Sequence, residues 1–351
     1  MDKLNIAIIG CGWAGERHVR AFQELSDRAN VSVLVDNDEP FLEEKASEWG
    51  IPDRYTDYHD VLSRDDIDAV SICLPHNVHA EVAVESARVG KHILCEKPIA
   101  VTIEEADAMI RAAEENGVKL MVAETARFQA INRKIRDCLD EGYIGNPILL
   151  RQVFMPRHPS KTGYIYPGRR AWLSDKEVAG GGQWMVNGIH RVSVARLFFG
   201  EVESIYAAEY QTSDFNLNIE ANVCATLKFV NGTLGQIIFA VQTSHFGVFD
   251  ETMLHGDSGA IVVSKTDGRI HIYGEKVEAP DNHLSIEARS ERDPFIMEME
   301  HFLDYVQKDT PCICDGTSER ESLAVVIGGF ESMKTGNEVE CYGRGLREAY
   351  T

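Results

Sequence analysis

No stretch of this chain approaches 18 uninterrupted apolar residues, so a membrane-spanning helix is not expected. The start, Met1-Asp2-Lys3, runs directly into a short apolar strand and lacks the charged, apolar and small-residue regions of a secretory leader. Cysteine pairing signals are missing too. The eight cysteines are scattered, and the one close pair, Cys312 and Cys314, lacks the two-residue spacer of zinc or dithiol motifs. These absences together point to a reducing, cytoplasmic home. Basic charge is scarce: 35 Lys and Arg stand against 56 Asp and Glu, a formal net charge of −21. That balance excludes the clustered cations that neutralise nucleic-acid phosphates, and it disfavours anionic membranes. So large an acidic excess reads as a solvated surface rather than a site. Internal repeats and low-complexity segments are absent as well. His76, His245 and His255 show no metal-ligand spacing, so no metal is expected.

What is present is an ordinary globular composition, 44% hydrophobic and 26% charged, in a chain longer than single cores usually grow. Two domains are expected. From residue 4 to about 122, short apolar runs at 4–9, 31–36, 69–74, 92–95 and 119–122 alternate with helical patterns, which predicts a parallel sheet covered by helices. Thr102 with Glu105 is a capping-box start and Gly117 a stop for the helix between the last two runs. This domain is expected over 1–123. A helical stretch around 132–141 then leads to Gly145-Asn146-Pro147, where the character of the sequence changes. A strand over 147–156 and a Pro- and Gly-containing loop over 157–170 follow. Long alternating runs at 204–210, 221–230 and 234–243, with Asn231-Gly232 as a hairpin turn, predict an antiparallel sheet. Residues 261–263 and 270–273 extend it, and an amphipathic stretch near 295–306 returns as a helix. The whole of 124–351 reads as a second domain.

The first apolar run enters Gly10-Cys11-Gly12-Trp13-Ala14-Gly15 and then a helix ending near Leu25. In that context a GxGxxG run is a dinucleotide turn. Gly10 permits the tight turn, Gly12 lets backbone approach a pyrophosphate, and Gly15 lets the helix pack on the strand, with its N-terminal N–H groups toward the phosphates. Asp36 closes the second strand, where a carboxylate accepts from both adenosine ribose hydroxyls and repels a 2′-phosphate, favouring NAD over NADP. Further on, Cys95-Glu96-Lys97-Pro98 places a lysine at the carboxyl end of a strand, the ligand side of such sheets.

The glycine turn at 10–15, Leu74-Pro75-His76-Asn77-Val78-His79, the run 90–98 ending in Glu96-Lys97-Pro98, and Gly180-Gly181-Gly182 followed by Gly188-Ile189-His190 occur in one order along nearly the whole chain. In this the sequence resembles the Gfo/Idh/MocA family, named for glucose–fructose oxidoreductase and inositol dehydrogenase. The resemblance implies an α/β protein: an N-terminal Rossmann domain plus a C-terminal α/β domain with a large, mostly antiparallel open sheet, a common face for homo-oligomers. By matching position it implies Leu74, Pro75, Asn77 and His79 beside the nicotinamide ribose and Glu96 and Lys97 near the reacting centre. His190 would stand opposite Lys97, and Arg127, Arg169 and Trp172 would border nicotinamide or substrate. In the family pattern a carboxylate often stands four residues before the histidine and another three after it. Here Val186 and Ser193 occupy those places, with Asn187 next to Val186.

Without those acids the base must be His190. Lys97 is expected to hydrogen-bond the substrate oxygen and stabilise a developing alkoxide while His190 accepts the proton and Asn187 orients substrate without titrating. The expected activity is NAD-dependent oxidation of a secondary hydroxyl of a sugar, glycoside or cyclic polyol, as several family members do at C3 of a pyranose. Tyr164, Tyr166, Arg169, Arg170 and Trp172 suit stacking on sugar faces, or alternatively a subunit contact. Two other readings stay open: a glycosidase that oxidises transiently on retained NAD, and a dinucleotide sensor without turnover.

Overall fold

The computed structural model describes residues 3–155, 168–211, 219–241, 251–264, 267–289 and 292–343. These divide into two compact units, one built from 1–125 with 292–320 and the other from 126–291 with 321–351. Among the described residues no helix is long and apolar enough to cross a membrane.

In the first unit, β1 (Leu4–Ile9), α1 (Trp13–Glu24), β2 (Ala29–Val35), α2 (Glu39–Trp49), β3 (Arg54–Tyr55), α3 (Tyr58–Leu62), β4 (Ala69–Ile72), α4 (His79–Arg88), β5 (His92–Glu96), α5 (Ile103–Glu115) and β6 (Leu120–Ala123) alternate. The six strands are all parallel in the order β3-β2-β1-β4-β5-β6. Helices cover both faces of such a sheet, so its central strands are apolar without alternation: Ile6 to Ile9, Ala69 to Ile72 and Ile93 to Cys95 are all buried. The strand order reverses between β1 and β4, and the crevice outside their carboxyl ends is where a doubly wound sheet binds ligands. The capping box forms as expected, Glu105 N–H donating to Thr102 Oγ1 at 3.2 Å and Glu105 returning its carboxylate to the Thr102 N–H.

The second unit contains α6 (Ala130–Asp140), β7 (Pro147–Phe154), α7 (Lys176–Ala179), α8 (Ile189–Phe199), β8 (Val202–Tyr210), β9 (Asn222–Phe229), β10 (Leu234–Ala240), β11 (Glu251–Gly256), β12 (Gly259–Ser264), β13 (Arg269–Gly274) and β14 (His283–Glu287). With β15 (Val339–Glu340) these strands form one sheet in the order β14-β13-β12-β11-β7-β10-β9-β8-β15. Its pairings are antiparallel except β7 with β10. The Asn231-Gly232 turn joins β9 to β10, with Asn231 Oδ1 accepting from Thr233 N–H at 3.0 Å. Burial alternates along β9 and β10, and Ile205, Ala225, Leu227, Ile237, Phe239, Ile261 and Ile272 are buried on one face. On the other face Leu149, Tyr206, Tyr210, Leu234 and Tyr273 stand exposed, Leu149 and Leu234 directly paired.

The helix expected near 295–306 is α9 (Pro294–Lys308), started by Asp293, whose carboxylate accepts from Phe295 N–H at 2.8 Å. It packs with the first unit, whereas the sequence reading placed it in a continuous second domain. Phe295 meets the edge of Trp13 at 6.0 Å, and Asp304 pairs with Arg28 at 2.7 Å. The strand-like segment after it pairs Asp315 with Met121 on β6, before α10 (Gly316–Thr335) carries the chain back to the second unit. An amphipathic helix announces that it has a buried face but not which sheet buries it.

Candidate active site

The glycine turn is built by steric necessity. Gly10 has φ 99°, and a Cβ there would run into the Cys73 carbonyl beyond β4; a Cβ on Gly15 would run into the Gly10 carbonyl. A Cβ on Gly12 meets nothing within 4 Å, so the N-terminus of α1 faces open space where a phosphate would lie. Trp13, half-exposed, and Ala14 continue the turn into α1. Asp36 braces it: one carboxylate oxygen accepts from Cys11 N–H at 3.0 Å and the other from Asp38 N–H at 3.1 Å. These residues fit a dinucleotide. The two glycines separate in a test: Gly15→Ala should lower the thermal midpoint sharply. Gly12→Ala should leave it unchanged while weakening NAD binding at least tenfold by calorimetry, about 1.4 kcal/mol.

After β4, Leu74 and Pro75 are half-buried and Asn77 is exposed, but His79 is fully buried. Its Nδ1 lies 2.9 Å from the Pro98 carbonyl and its Nε2 2.9 Å from the Leu74 carbonyl, while burial holds its pKa below the ordinary histidine value. His79 therefore sits between the loop after β4 and the loop after β5, its one ring N–H donating to one of these two carbonyls.

Below Lys97 lies a pair that sequence reasoning missed. His18, fully buried on α1, has Nδ1 2.7 Å from Ser71 Oγ and Nε2 3.2 Å from Glu96 Oε1. Glu96 Oε2 in turn accepts the Lys97 backbone N–H at 3.2 Å. Burial opposes a charge on His18, but the neighbouring Cys73 sulfur and the Glu96 carboxylate outweigh it and raise its pKa to about 10. The ring thus lies with Nδ1 against Ser71 and Nε2 within ion-pair distance of the Glu96 carboxylate, at the root of the lysine. Beside them Glu298 of α9 is buried and accepts from Thr125 Oγ1 at 2.9 Å; burial, then the Glu96 and Glu124 charges, push its pKa well above the ordinary carboxyl value. The available signal was phase: His18 falls on the buried stripe Gly15, His18, Val19, Phe22 of α1.

A folded-state pKa above the unfolded value means that the native protein holds the extra proton. The His18 contribution to stability is therefore complete below pH 6.5 and is lost as pH rises through about 10; Glu298 slopes the same way from the ordinary carboxyl value upward. His18→Gln should be less stable than wild type by about 3 kcal/mol at pH 6.5, the cost of breaking a buried pair, and the gap should close above pH 10. Parallel denaturation curves across that range would sink the assignment.

In the second unit, Glu220 organises the other half of the candidate set. Its carboxylate accepts from Gly182 N–H at 2.8 Å and Trp184 N–H at 2.7 Å, with Met185 N–H at 3.4 Å. Gly182 permits this approach, since a Cβ there would press on Ile219. The capped segment makes a wide π-type turn over Trp184–Gly188 and continues as α8. Among 181–190 only Asn187 and His190 escape burial, three residues apart on one side of this turn. Asn187 Nδ2 donates to Gln183 Oε1 at 2.6 Å. One turn past His190, Ser193 Oγ accepts from Arg127 Nε at 2.7 Å, tying the buried arginine to α8. Val186, where an acid often stands, belongs to an apolar cluster with Leu173 and Ala179, against which Trp172 packs. Arg169 is exposed in the helical turn Gly168–Ser174. Tyr164 and Tyr166 lie outside the described residues.

A doubly wound sheet with a phosphate-accommodating glycine turn, joined to a unit built on an open sheet, defines a dinucleotide-binding oxidoreductase. Residues 4–124 match the oxidoreductase family with NAD-binding Rossmann fold of the GFO/IDH/MocA type, and residues 132–276 match the GFO/IDH/MocA C-terminal domain. The chain belongs to this family. It is 24% identical to myo-inositol 2-dehydrogenase of Thermotoga maritima, covering 96% of this chain and 98% of that protein. With D-xylose 1-dehydrogenase (NADP(+)) 2 of Haloferax volcanii it shares 27% identity over 95% of this chain and 98% of the other. Levoglucosan dehydrogenase, solved in complex with NADH and levoglucosan, has the same fold, with TM-score 0.88 at 21% identity over 97% of this chain and 99% of that one.

Proposed function

We propose that the protein oxidises a secondary hydroxyl of a sugar, glycoside or cyclic polyol with NAD as acceptor, ring position C3 of a pyranose being the first to test. The observation that carries this reading is Lys97 at the carboxyl end of β5, rooted on the His18–Glu96 pair beside a dinucleotide turn. Relatives named as inositol and xylose dehydrogenases support the substrate class. The turn from Gly10 to Gly15 would hold the pyrophosphate and Asp36 the adenosine ribose. Leu74, Pro75 and Asn77, beside buried His79, would meet the nicotinamide ribose, with Glu96 and Arg127 as supports. When bound, NAD supplies the acceptor for the hydrogen and electron pair leaving the carbinol carbon. Lys97 donates to the hydroxyl oxygen and stabilises its growing negative charge, and His190 takes the hydroxyl proton. Asn187 orients the substrate, with Arg169, Trp172 and Tyr164 along its flank. Homo-oligomerisation is proposed through the outer sheet face carrying Leu149 and Leu234.

The test mixes purified protein with NAD or NADP and a panel of hexoses, inositols and glucosides, following nicotinamide absorbance and products by mass spectrometry. NADH together with a keto-sugar is the expected result, and Asp36→Ser should shift use toward NADP. Flat absorbance with a freed aglycone would replace this reading by a glycosidase, and no reaction at all would replace it by a sensor. Sedimentation of the same sample should show a multimer that Leu149→Lys with Leu234→Lys dissociates; a wild-type monomer would end the oligomer proposal.

A further inference from the structure

The outer face of the open sheet carries a pair of histidines that the dehydrogenase reading leaves unused. Along β13 burial alternates, with Ile270 and Ile272 turned inward and His271 and Tyr273 outward. The register sets Tyr273 opposite His283 on β14, so His271 is the diagonal neighbour of His283. Their rings meet: His271 Nδ1 lies 3.1 Å from His283 Nε2, and the ring planes are within 16° of parallel. Tyr273 stacks on the His283 ring at 4.5 Å and steadies it. On the far side of His271, Asp267 Oδ2 lies 2.6 Å from Nε2, while Asp267 Oδ1 accepts from Arg269 N–H at 3.0 Å. Both carboxylate oxygens are thus committed. Arg269 in turn donates from Nε to Ser285 Oγ at 2.6 Å, which pins β13 to β14 beside the pair. No spacing rule along the chain flags residues 271 and 283; only the strand register brings them together.

We propose that His271 and His283 bind a divalent transition cation of the zinc class, with Asp267 as the positioning group behind His271. A carboxylate oxygen 2.6 Å from Nε2 fixes the proton of the neutral ring there, so Nδ1 presents a lone pair toward His283. His283 offers its own Nε2 lone pair once its proton sits on Nδ1, and a small turn of the ring lets an ion replace the hydrogen that otherwise joins the two nitrogens. The spacing fits. Two imidazole nitrogens, each about 2.1 Å from one tetrahedral or octahedral ion, stand roughly 3.0–3.4 Å apart, and here they stand 3.1 Å apart. Asp267, His271 and the ion make a carboxylate–histidine–metal series, in which the carboxylate orients the ring and raises its basicity. Imidazole ligands select zinc, copper and nickel over magnesium and calcium. Among the described residues no third His, Cys, Asp or Glu completes a larger group, so water takes the remaining positions. An ion held in this way clasps the edge strand β14 to β13.

The experiment titrates zinc chloride into the full-length protein, free of any affinity tag and first cleared of metal with EDTA, and reads the heat by calorimetry. One ion per chain is expected, with Kd below about 100 µM. His271→Gln and His283→Gln should each weaken binding at least tenfold. Asp267→Asn, which keeps the shape but removes the carboxylate behind the ring, should weaken it by about tenfold. Magnesium chloride at the same concentrations should give no binding heat. A second measurement needs no variant: zinc should shield His271 and His283 from diethyl pyrocarbonate, mapped by mass spectrometry, while exposed His59 stays reactive. A wild-type Kd weaker than about 1 mM, zinc affinity unchanged in both histidine variants, or shielding of His59 in place of the pair would each overturn the proposal.

Discussion

Lys97→Met is expected to lower kcat by about a thousandfold, roughly 4 kcal/mol of lost transition-state stabilisation, while NAD binding stays within a few-fold of wild type. The size follows from the role proposed for the ammonium: it would meet an oxygen that is neutral in the ground state and gains charge only as the carbinol carbon loses its hydrogen. Methionine keeps the length and the packing of the stem but supplies no donor. His190→Ala should cost about a hundred- to ten-thousandfold in kcat, because the proposed proton acceptor is gone. With both groups proposed to act on one hydroxyl, the double variant should be about as slow as the worse single variant. Near-normal turnover in either variant removes that residue from the chemistry. A uniform rise in KM with kcat intact would instead make it a binding group.

Glu220→Ala should have the largest effect on stability of any polar substitution considered. It removes the acceptor shared by the Gly182 and Trp184 N–H groups in a buried setting, leaving both unpaired. The expected cost is about 3–5 kcal/mol, a fall of roughly 10 °C in the melting of the second unit. Burial raises the Glu220 pKa against the pull of these N–H groups, so Glu220→Gln, which keeps one carbonyl acceptor and sheds the charge, should recover about half of the loss. The readout that separates positioning from mere stability is kinetic: at a temperature where Glu220→Gln is fully folded, kcat should still be lowered, because the π-type turn carrying Asn187 and His190 is set by this cap. Unchanged kcat in folded Glu220→Gln would confine Glu220 to stability.

The parts of the fold that were legible in the sequence are those where local chemistry dictates the outcome. Gly10 and Gly15 stand at fixed offsets because a tight turn and a helix–strand contact each exclude a side chain, while Gly12 leaves the N-terminus of α1 open. Thr102 and Glu105 satisfy each other's backbone within one turn, and Asn231-Gly232 closes its hairpin within four residues. Strands β11 and β14 escaped notice because they are short and one borders residues rich in turn formers, so no long alternation marked them.

Lys97, His190, Asn187 and Asp36 enter the proposed site from motif and position in the sequence. Their supports do not: His18 lies 78 residues before Glu96 in the chain, and Glu220 lies 38 residues beyond Gly182. The sequence by itself determined the parallel sheet and the glycine turn, because each follows from interactions among near neighbours along the chain. Only the tertiary structure decided that α9 returns to the first unit, that His79 is buried between two loop carbonyls, and that His18, Glu298 and Glu220 are buried among the partners that shift them. Burial and electrostatic pairing depend on which distant segments meet, and no local pattern records that meeting.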